Sequence, residues 1–150
     1  MLRDPSLIPL SHQHHNGLAL CVLIRRALAA DSSPENAARL AGRAIDRYEL
    51  ELANHFELEE RVLFVEAAKY CEEKDLITGL IAEHRRMEQM IAELRAAPSA
   101  EGLERFCNLL TAHIRREENE LFQQIQQQLP REALDRIGEI LRDKAVRICL

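Results

Sequence analysis

His55-Phe56-Glu57-Leu58-Glu59 and His113-Ile114-Arg115-Arg116-Glu117 repeat one step, a histidine followed four residues later by a glutamate. On an α-helix, positions i and i+4 lie on one face, a turn apart. Each step also interrupts an apolar stripe. The first stripe reads Ile45, Tyr48, Leu52, His55, Glu59, Val62, Leu63, Glu66; the second reads Phe106, Leu109, Leu110, His113, Glu117, Leu121 and then Gln124 or Ile125. A third histidine, His84, falls on the stripe Ile77, Leu80, Ile81, Met87, Ile91, Leu94, and a cluster of His12, His14 and His15 opens the first apolar segment. Four helical segments therefore each carry at least one metal-type ligand. The pattern points to an all-α bundle with a metal site inside it.

The bulk composition agrees. The chain has 150 residues, 47% hydrophobic and 30% charged, with only 5 Gly and 5 Pro, which fits a single domain over 1–150. Ala, Leu, Glu, Arg and Gln dominate, and these are good helix formers. β-branched and aromatic residues are too sparse for a large sheet. A net charge of −5 and a pI near 5.7 argue against a general nucleic-acid binder. The longest apolar run, residues 18–24, falls far short of the roughly 18 residues that span a bilayer, so no membrane partner is expected. No basic segment followed by an apolar run and a cleavage site opens the chain, and the expected location is cytoplasmic. Four cysteines, Cys21, Cys71, Cys107 and Cys149, form no C-x-x-C pair and read as reduced thiols. Cys21 and Cys107 sit in apolar helical phase and belong to the core, whereas Cys149 reads as an exposed thiol.

Punctuation marks divide the chain into four long helices and a short one. Helix 1 is expected over 11–30, and Asp31-Ser32-Ser33-Pro34 then forms a turn with Ser33 as cap and Pro34 in the first helical turn. Helix 2 runs over 35–70. A break follows at 71–75, with Asp75 capping helix 3 over 76–96. Pro98-Ser99 ends that helix and caps helix 4, and Pro130 starts helix 5, through Val146, with Leu134, Ile137, Ile140 and Leu141 as its apolar face. Short turns make neighbours antiparallel, hence an up-down-up-down four-helix bundle with core 10–129 and an additional short C-terminal helix over 130–146. Counting residues from the turns puts His84 level with His113 and His14 near His55. Glu59 and His84 match less well, roughly 15 residues back from the break against 9 forward. Helix 5 either caps the bundle end, the role its one apolar face favours, or docks on a partner or a second copy as a homodimer contact.

A buried ionised carboxylate costs several kcal/mol unless it is paired or metal-bound. Divalent metal neutralises inward glutamates and takes imidazoles as neutral ligands; this donor set suits iron or manganese, with zinc as a further alternative. Single steps of this kind are commonly surface pairs, and it is the joint pattern on four stripes that carries the metal reading. For the first ligand, helical phase favours His14, aligned with Gly17, Leu18, Cys21 and Leu28, and His15 stays open as the alternative. Gly17 reads as a point of close approach for a neighbouring helix or a small ligand. Glu60, Glu66 and Glu118 read as surface carboxylates or as supports behind the ligands. A ferritin-like bundle would need Glu-x-x-His pairs, which the candidate ligands lack.

On these residues the sequence resembles the hemerythrin-like family over roughly 10–129. The carrying segments are Ser11-His12-Gln13-His14-His15-Asn16-Gly17-Leu18, His55 to Glu60 with Leu63-Phe64, Glu83-His84-Arg85-Arg86-Met87, and His113 to Phe122. The resemblance implies a non-haem di-iron site in a four-helix bundle, holding two iron ions. His14, His55, His84 and His113 are then terminal metal ligands, and Glu59 and Glu117 bridge. The chain departs from the oxygen-carrying members, which have a second histidine four residues after the helix 3 histidine, where Glu88 stands here. Those members also place a carboxylate five residues after the helix 4 histidine, a spacing that selects Glu118. The spacing to Glu117 is instead similar to that of bacterial relatives with four histidines and two glutamates, including those tied to nitric-oxide stress and iron–sulfur repair. An open coordination position or a Glu88 ligand follows. The resemblance thus implies binding of a small diatomic ligand, oxygen or nitric oxide, for sensing, storage or stress response. The alternatives are a di-iron enzyme that reduces oxygen, peroxide or nitric oxide or donates iron for cluster repair, and a helical regulatory module.

Overall fold

Residues 2–148 are described by a computed structural model; Cys149 lies outside them. A 3₁₀ turn, Pro5–Leu7, leads into α1, Ile8–Ala30. Helix α2 spans 34–70, α3 is Lys74–Ala96, α4 spans 100–128, and α5 is Arg131–Lys144. The first four helices run up-down-up-down, and no strand occurs among the described residues.

The caps show why the chain turns where it does. Ser33 Oγ accepts the Asn36 N–H at 3.3 Å at the head of α2, with Pro34 in the first turn. Ser99 does the same for the Gly102 N–H at 3.0 Å at the head of α4. These hydroxyls satisfy amides that a helix start leaves orphaned. The break between α2 and α3 departs from the expected position. It lies at 71–73, Glu73 occupies the N-cap of α3, and Asp75 sits in the first turn without capping. Counted from Glu72, Glu59 lies 13 residues back and His84 lies 12 forward, so the two come level. α1 also starts earlier than expected, and α5 stops at Lys144, short of Val146.

Three stretches of π-helix, Tyr48–Leu52 and Glu59–Leu63 in α2 and Glu117–Leu121 in α4, are absent from the sequence expectation. They solve a phasing problem. In α2 the buried line steps by four, through Glu51, His55, Glu59, Leu63 and Ala67. A regular α-helix turns about 100° per residue, so a stride of four drifts about 40° each time. A π turn, closed i to i+5, takes up that drift. In α4 the line His113, Glu117, Leu121, Ile125 is kept inward the same way. Some expected core residues lie nearer the surface: Ile45, Tyr48, Val62 and Glu66 are only half-buried, as are Ile81 and Leu109 on α3 and α4. Ile125, not Gln124, takes the buried position in α4, and Ile140 on α5 is exposed.

Two apolar layers stand on either side of a polar one. The first joins the later half of α1 and the start of α2 to the end of α3 and the start of α4, around Ile24, Leu40, Phe56, Ile91 and Phe106. Cys21 and Cys107 are buried within it. Gly17 borders α4 closely: an added Cβ would meet Ile114 Cδ1 at 3.1 Å, so a neighbouring helix side chain fills that space. The second layer holds Leu10, Leu63, Phe64, Leu80, Phe122 and Ile125, and α5 closes it with Leu134, Ile137 and Leu141. Gly138 lets α5 approach the 3₁₀ turn, since a Cβ there would lie 3.1 Å from Ser6 Cα. The apolar face of α5 is thus buried against its own chain.

Ile137 is 1% exposed, and truncating it leaves a cavity in the second layer. Ile137→Ala is expected to lower unfolding free energy by about 2–5 kcal/mol, measured by urea denaturation. A loss under about 1 kcal/mol would show that α5 contributes little to that layer.

Candidate metal centre

The polar layer holds the six sequence candidates together: His14, His55, Glu59, His84, His113 and Glu117, each at most 3% exposed. Their donor atoms form two groups of four, His14, His55, Glu59, Glu117 and Glu59, His84, His113, Glu117, with all atoms in a group within 4.8 Å of one another. Both groups use both glutamates.

The carboxylates divide their oxygens. Glu59 Oε1 faces His55 Nε2 at 2.6 Å and His14 Nε2 at 3.6 Å, while its Oε2 faces His84 Nε2 at 3.0 Å. Glu117 Oε2 faces His14 Nε2 at 2.8 Å and His55 Nε2 at 4.0 Å, and its Oε1 faces His113 Nε2 at 3.0 Å. Each glutamate thus spans two histidine pairs, contributed by α1 with α2 and by α3 with α4.

Tautomers follow from the outer hydrogen bonds. His84 Nδ1 lies 2.8 Å from Glu60 Oε2, and His113 Nδ1 lies 2.9 Å from Glu83 Oε1. A carboxylate only accepts, so both Nδ1 atoms carry the proton. In the neutral rings, both Nε2 lone pairs then point inward, and they face each other at 3.1 Å. His55 Nδ1 lies 2.8 Å from Gln13 Oε1. The Gln13 amide nitrogen donates to Val146 O at 2.9 Å, which fixes its oxygen toward His55. His55 Nε2 therefore also presents a lone pair, toward a carboxylate oxygen. His55 Nε2, both Glu59 oxygens and Glu117 Oε1 are buried without a hydrogen-bond partner. Facing lone pairs in an apolar surrounding need positive charge between them, from a cation or from protons. The donor set fits a metal cation on this ground.

The titration behaviour carries the same sign. Burial disfavours the charged form of Glu117, and Glu59 opposes it further, yet His113 and His14 hold its pKa down at about 2. Glu59 also lies well below the usual carboxylate range: burial works against its charge, and His55, His14 and His84 outweigh it. Burial pushes His113 down, but Glu117 and Glu83 raise it to about 10. His14 and His55 move upward as well, against burial, through Glu117 and Glu59.

The remaining candidates lie apart. His15 is exposed, and so is His12. Glu118 turns to Ser11 Oγ at 2.7 Å and Arg3 at 3.0 Å, and stands 3.7 Å from His14 Nδ1. Glu88, at the position of the fifth histidine in oxygen-carrying relatives, pairs with Arg85 at 3.4 Å and belongs to neither donor group. Glu66 pairs with Lys69 at the surface. Gln13 and Glu83 went unrecognised as supports, because each serves a histidine on a neighbouring helix. Three phenylalanines wall the layer: Phe56 stacks on His84 at 4.0 Å between centroids, Phe64 on His84 at 5.8 Å, and Phe122 on His14 at 5.3 Å.

A four-helix bundle with buried, carboxylate-spanned histidine pairs defines a cation-binding helical protein. The chain belongs to the hemerythrin family: the Hemerythrin HHE cation binding domain matches residues 9–125. No curated protein matches the sequence. None of the described helices is long and apolar enough to cross a membrane.

Protein stripped of metal should show the electrostatics directly. The glutamates, lowered from 4.5, contribute stability that is present above that value and lost as pH falls toward 2. The histidines, raised from 6.5, contribute stability that is complete below that value and lost as pH rises through about 10 for His113. The urea midpoint of stripped protein is expected to peak between 4.5 and 6.5 and decline on both sides. A midpoint that holds level from pH 6 to 10 would contradict the assigned charge states.

Proposed function

We propose that this chain is a non-haem di-iron protein that binds a small diatomic ligand, oxygen or nitric oxide, for sensing, storage or stress response. The observation that carries the reading is the division of each buried glutamate's oxygens between two histidine pairs. In it, His14 and His55 would hold one iron, His84 and His113 would hold the other, and Glu59 and Glu117 would be shared between them. Manganese and zinc are the alternative metals for this donor set. Each position receives two imidazole nitrogens and two carboxylate oxygens. Iron in histidine–carboxylate sites keeps open positions for exogenous ligands and supplies the one-electron chemistry that diatomic binding uses.

The protein's own part is to orient and to exclude. Gln13, Glu60 and Glu83 fix three imidazole rings by accepting hydrogen bonds from their Nδ1–H groups. Phe56, Phe64 and Phe122 shield the polar layer, which favours small, weakly polar ligands over larger substrates. A surface cavity of about 210 Å³ ends on Phe56 and Glu60, both in contact with His84. It supports an approach for a diatomic from that side.

A second reading is turnover, the reduction of oxygen, peroxide or nitric oxide. Glu88 favours it, because that residue pairs with Arg85 and stands outside both donor groups. Coordination space that a fifth histidine would fill then stays open for reaction.

His55→Ala and His113→Ala are each expected to lower bound iron from about two per chain to one or fewer, by elemental analysis of protein from iron-supplemented cells. Unchanged iron in both variants would sink the assignment. Anaerobic ferrous protein should change its absorption on exposure to oxygen or nitric oxide. Net consumption of the gas with added reductant selects the enzymatic reading, and a stable complex selects the binding one.

A further inference from the structure

The four imidazoles are not supported alike. His84 and His113 each donate Nδ1–H to a carboxylate, Glu60 at 2.8 Å and Glu83 at 2.9 Å. Those carboxylates are pinned in turn, Glu60 by Arg85 and Glu83 by Arg116. His55 donates to a neutral amide, Gln13, at 2.8 Å. His14 Nδ1 has no hydrogen-bond partner, and the nearest recorded carboxylate, Glu118, stands at 3.7 Å.

The difference sorts by donor group. Both carboxylate-backed rings belong to one group, and the amide-backed and unbacked rings belong to the other. A carboxylate behind an imidazole holds its orientation and raises the basicity of the inward nitrogen. An amide orients the ring with less charge behind it, and a ring whose nearest carboxylate stands at 3.7 Å, beyond hydrogen-bond reach, is held less firmly. Arg85 and Arg116 draw off some of the carboxylate charge, yet they also fix where each carboxylate points. Ring packing has the same bias: His84 stacks on two phenylalanines, Phe56 and Phe64, and His14 on one, Phe122.

We infer that this chain's two metal positions are unequal. An ion at His84 and His113 is held more tightly and leaves later than one at His14 and His55, with Glu60 and Glu83 as the positioning residues responsible. This rests on the di-iron reading above. Repulsion between two cations weakens the second whatever the surroundings, so order of filling alone does not decide the matter; the identity of the slow position does.

The test is iron release. The full chain is loaded with ferrous iron without oxygen, freed of excess, and challenged with a chromophoric ferrous chelator. Wild type is expected to release its irons in two phases of equal amplitude. Glu60→Gln and Glu83→Gln should speed the slow phase about 10–100-fold and leave the fast phase unchanged. His14→Ala should retain the slow iron and lose the fast one. Two irons leaving wild type in a single phase would overturn the inference while the di-iron reading stands. So would a Glu83→Gln variant in which only the fast phase changes, or a His14→Ala variant that loses the slow iron. A wild type that takes up no iron overturns both readings.

Discussion

Two of the three carboxylates with no exposed surface, Glu59 and Glu117, stand at the centre of a bundle whose other interior contacts are largely apolar. Uncompensated, they would cost several kcal/mol. Everything around them answers that constraint. Four histidines converge on their oxygens, three of the rings fixed from behind so that the inward atom meets a carboxylate. Apolar layers above and below keep water out and so raise the strength of every interaction between them. The fold can be seen as two hydrophobic cores held apart by one charged layer, and it is the charged layer that calls for positive charge at its centre.

Much of this was legible in the sequence. The His-x-x-x-Glu steps lie within apolar stripes, and those stripes place both residues inward before any coordinates exist. Ser33-Pro34 and Ser99 mark helix starts by a local mechanism, a hydroxyl on an orphan amide, so they could be read locally. The choice of His14 over His15 came from phase, and His14 is the one in the cluster. The π turns were not legible, because no residue type signals them. They come from a demand set across the bundle, that a stride of four stay on one line. The break after Tyr70 could be placed from the sequence, but with neither glycine nor proline its extent, 71–73, and its cap could not be read. That extent brings Glu59 and His84 level.

The residues behind the ligands mark the limit of linear reading. Glu83 adjoins His84 in the chain but serves His113. Gln13 adjoins His14 but serves His55, and it is itself held by Val146, beyond the last helix. In each case a helical neighbour points about 100° away from the ligand beside it, toward the adjacent helix. Which ring it meets depends on how two helices are rotated against each other, and sequence periodicity carries no such information. The same cross-pairing links the helices in series: α1 supports α2, α2 supports α3, and α3 supports α4.

The π turns tie the length of the chain to its chemistry. In both α2 and α4 a π stretch opens at the buried glutamate itself, Glu59 or Glu117. A π turn holds one residue more than the α turn it replaces, so relaxing either stretch to ordinary α-helix at unchanged length would rotate all that follows. The apolar side chains of the second layer would then face solvent, and the glutamate would keep its height but lose its floor. The two buried glutamates and the apolar layer beneath them therefore hang on the same widened turns, and neither can be re-aimed without the other.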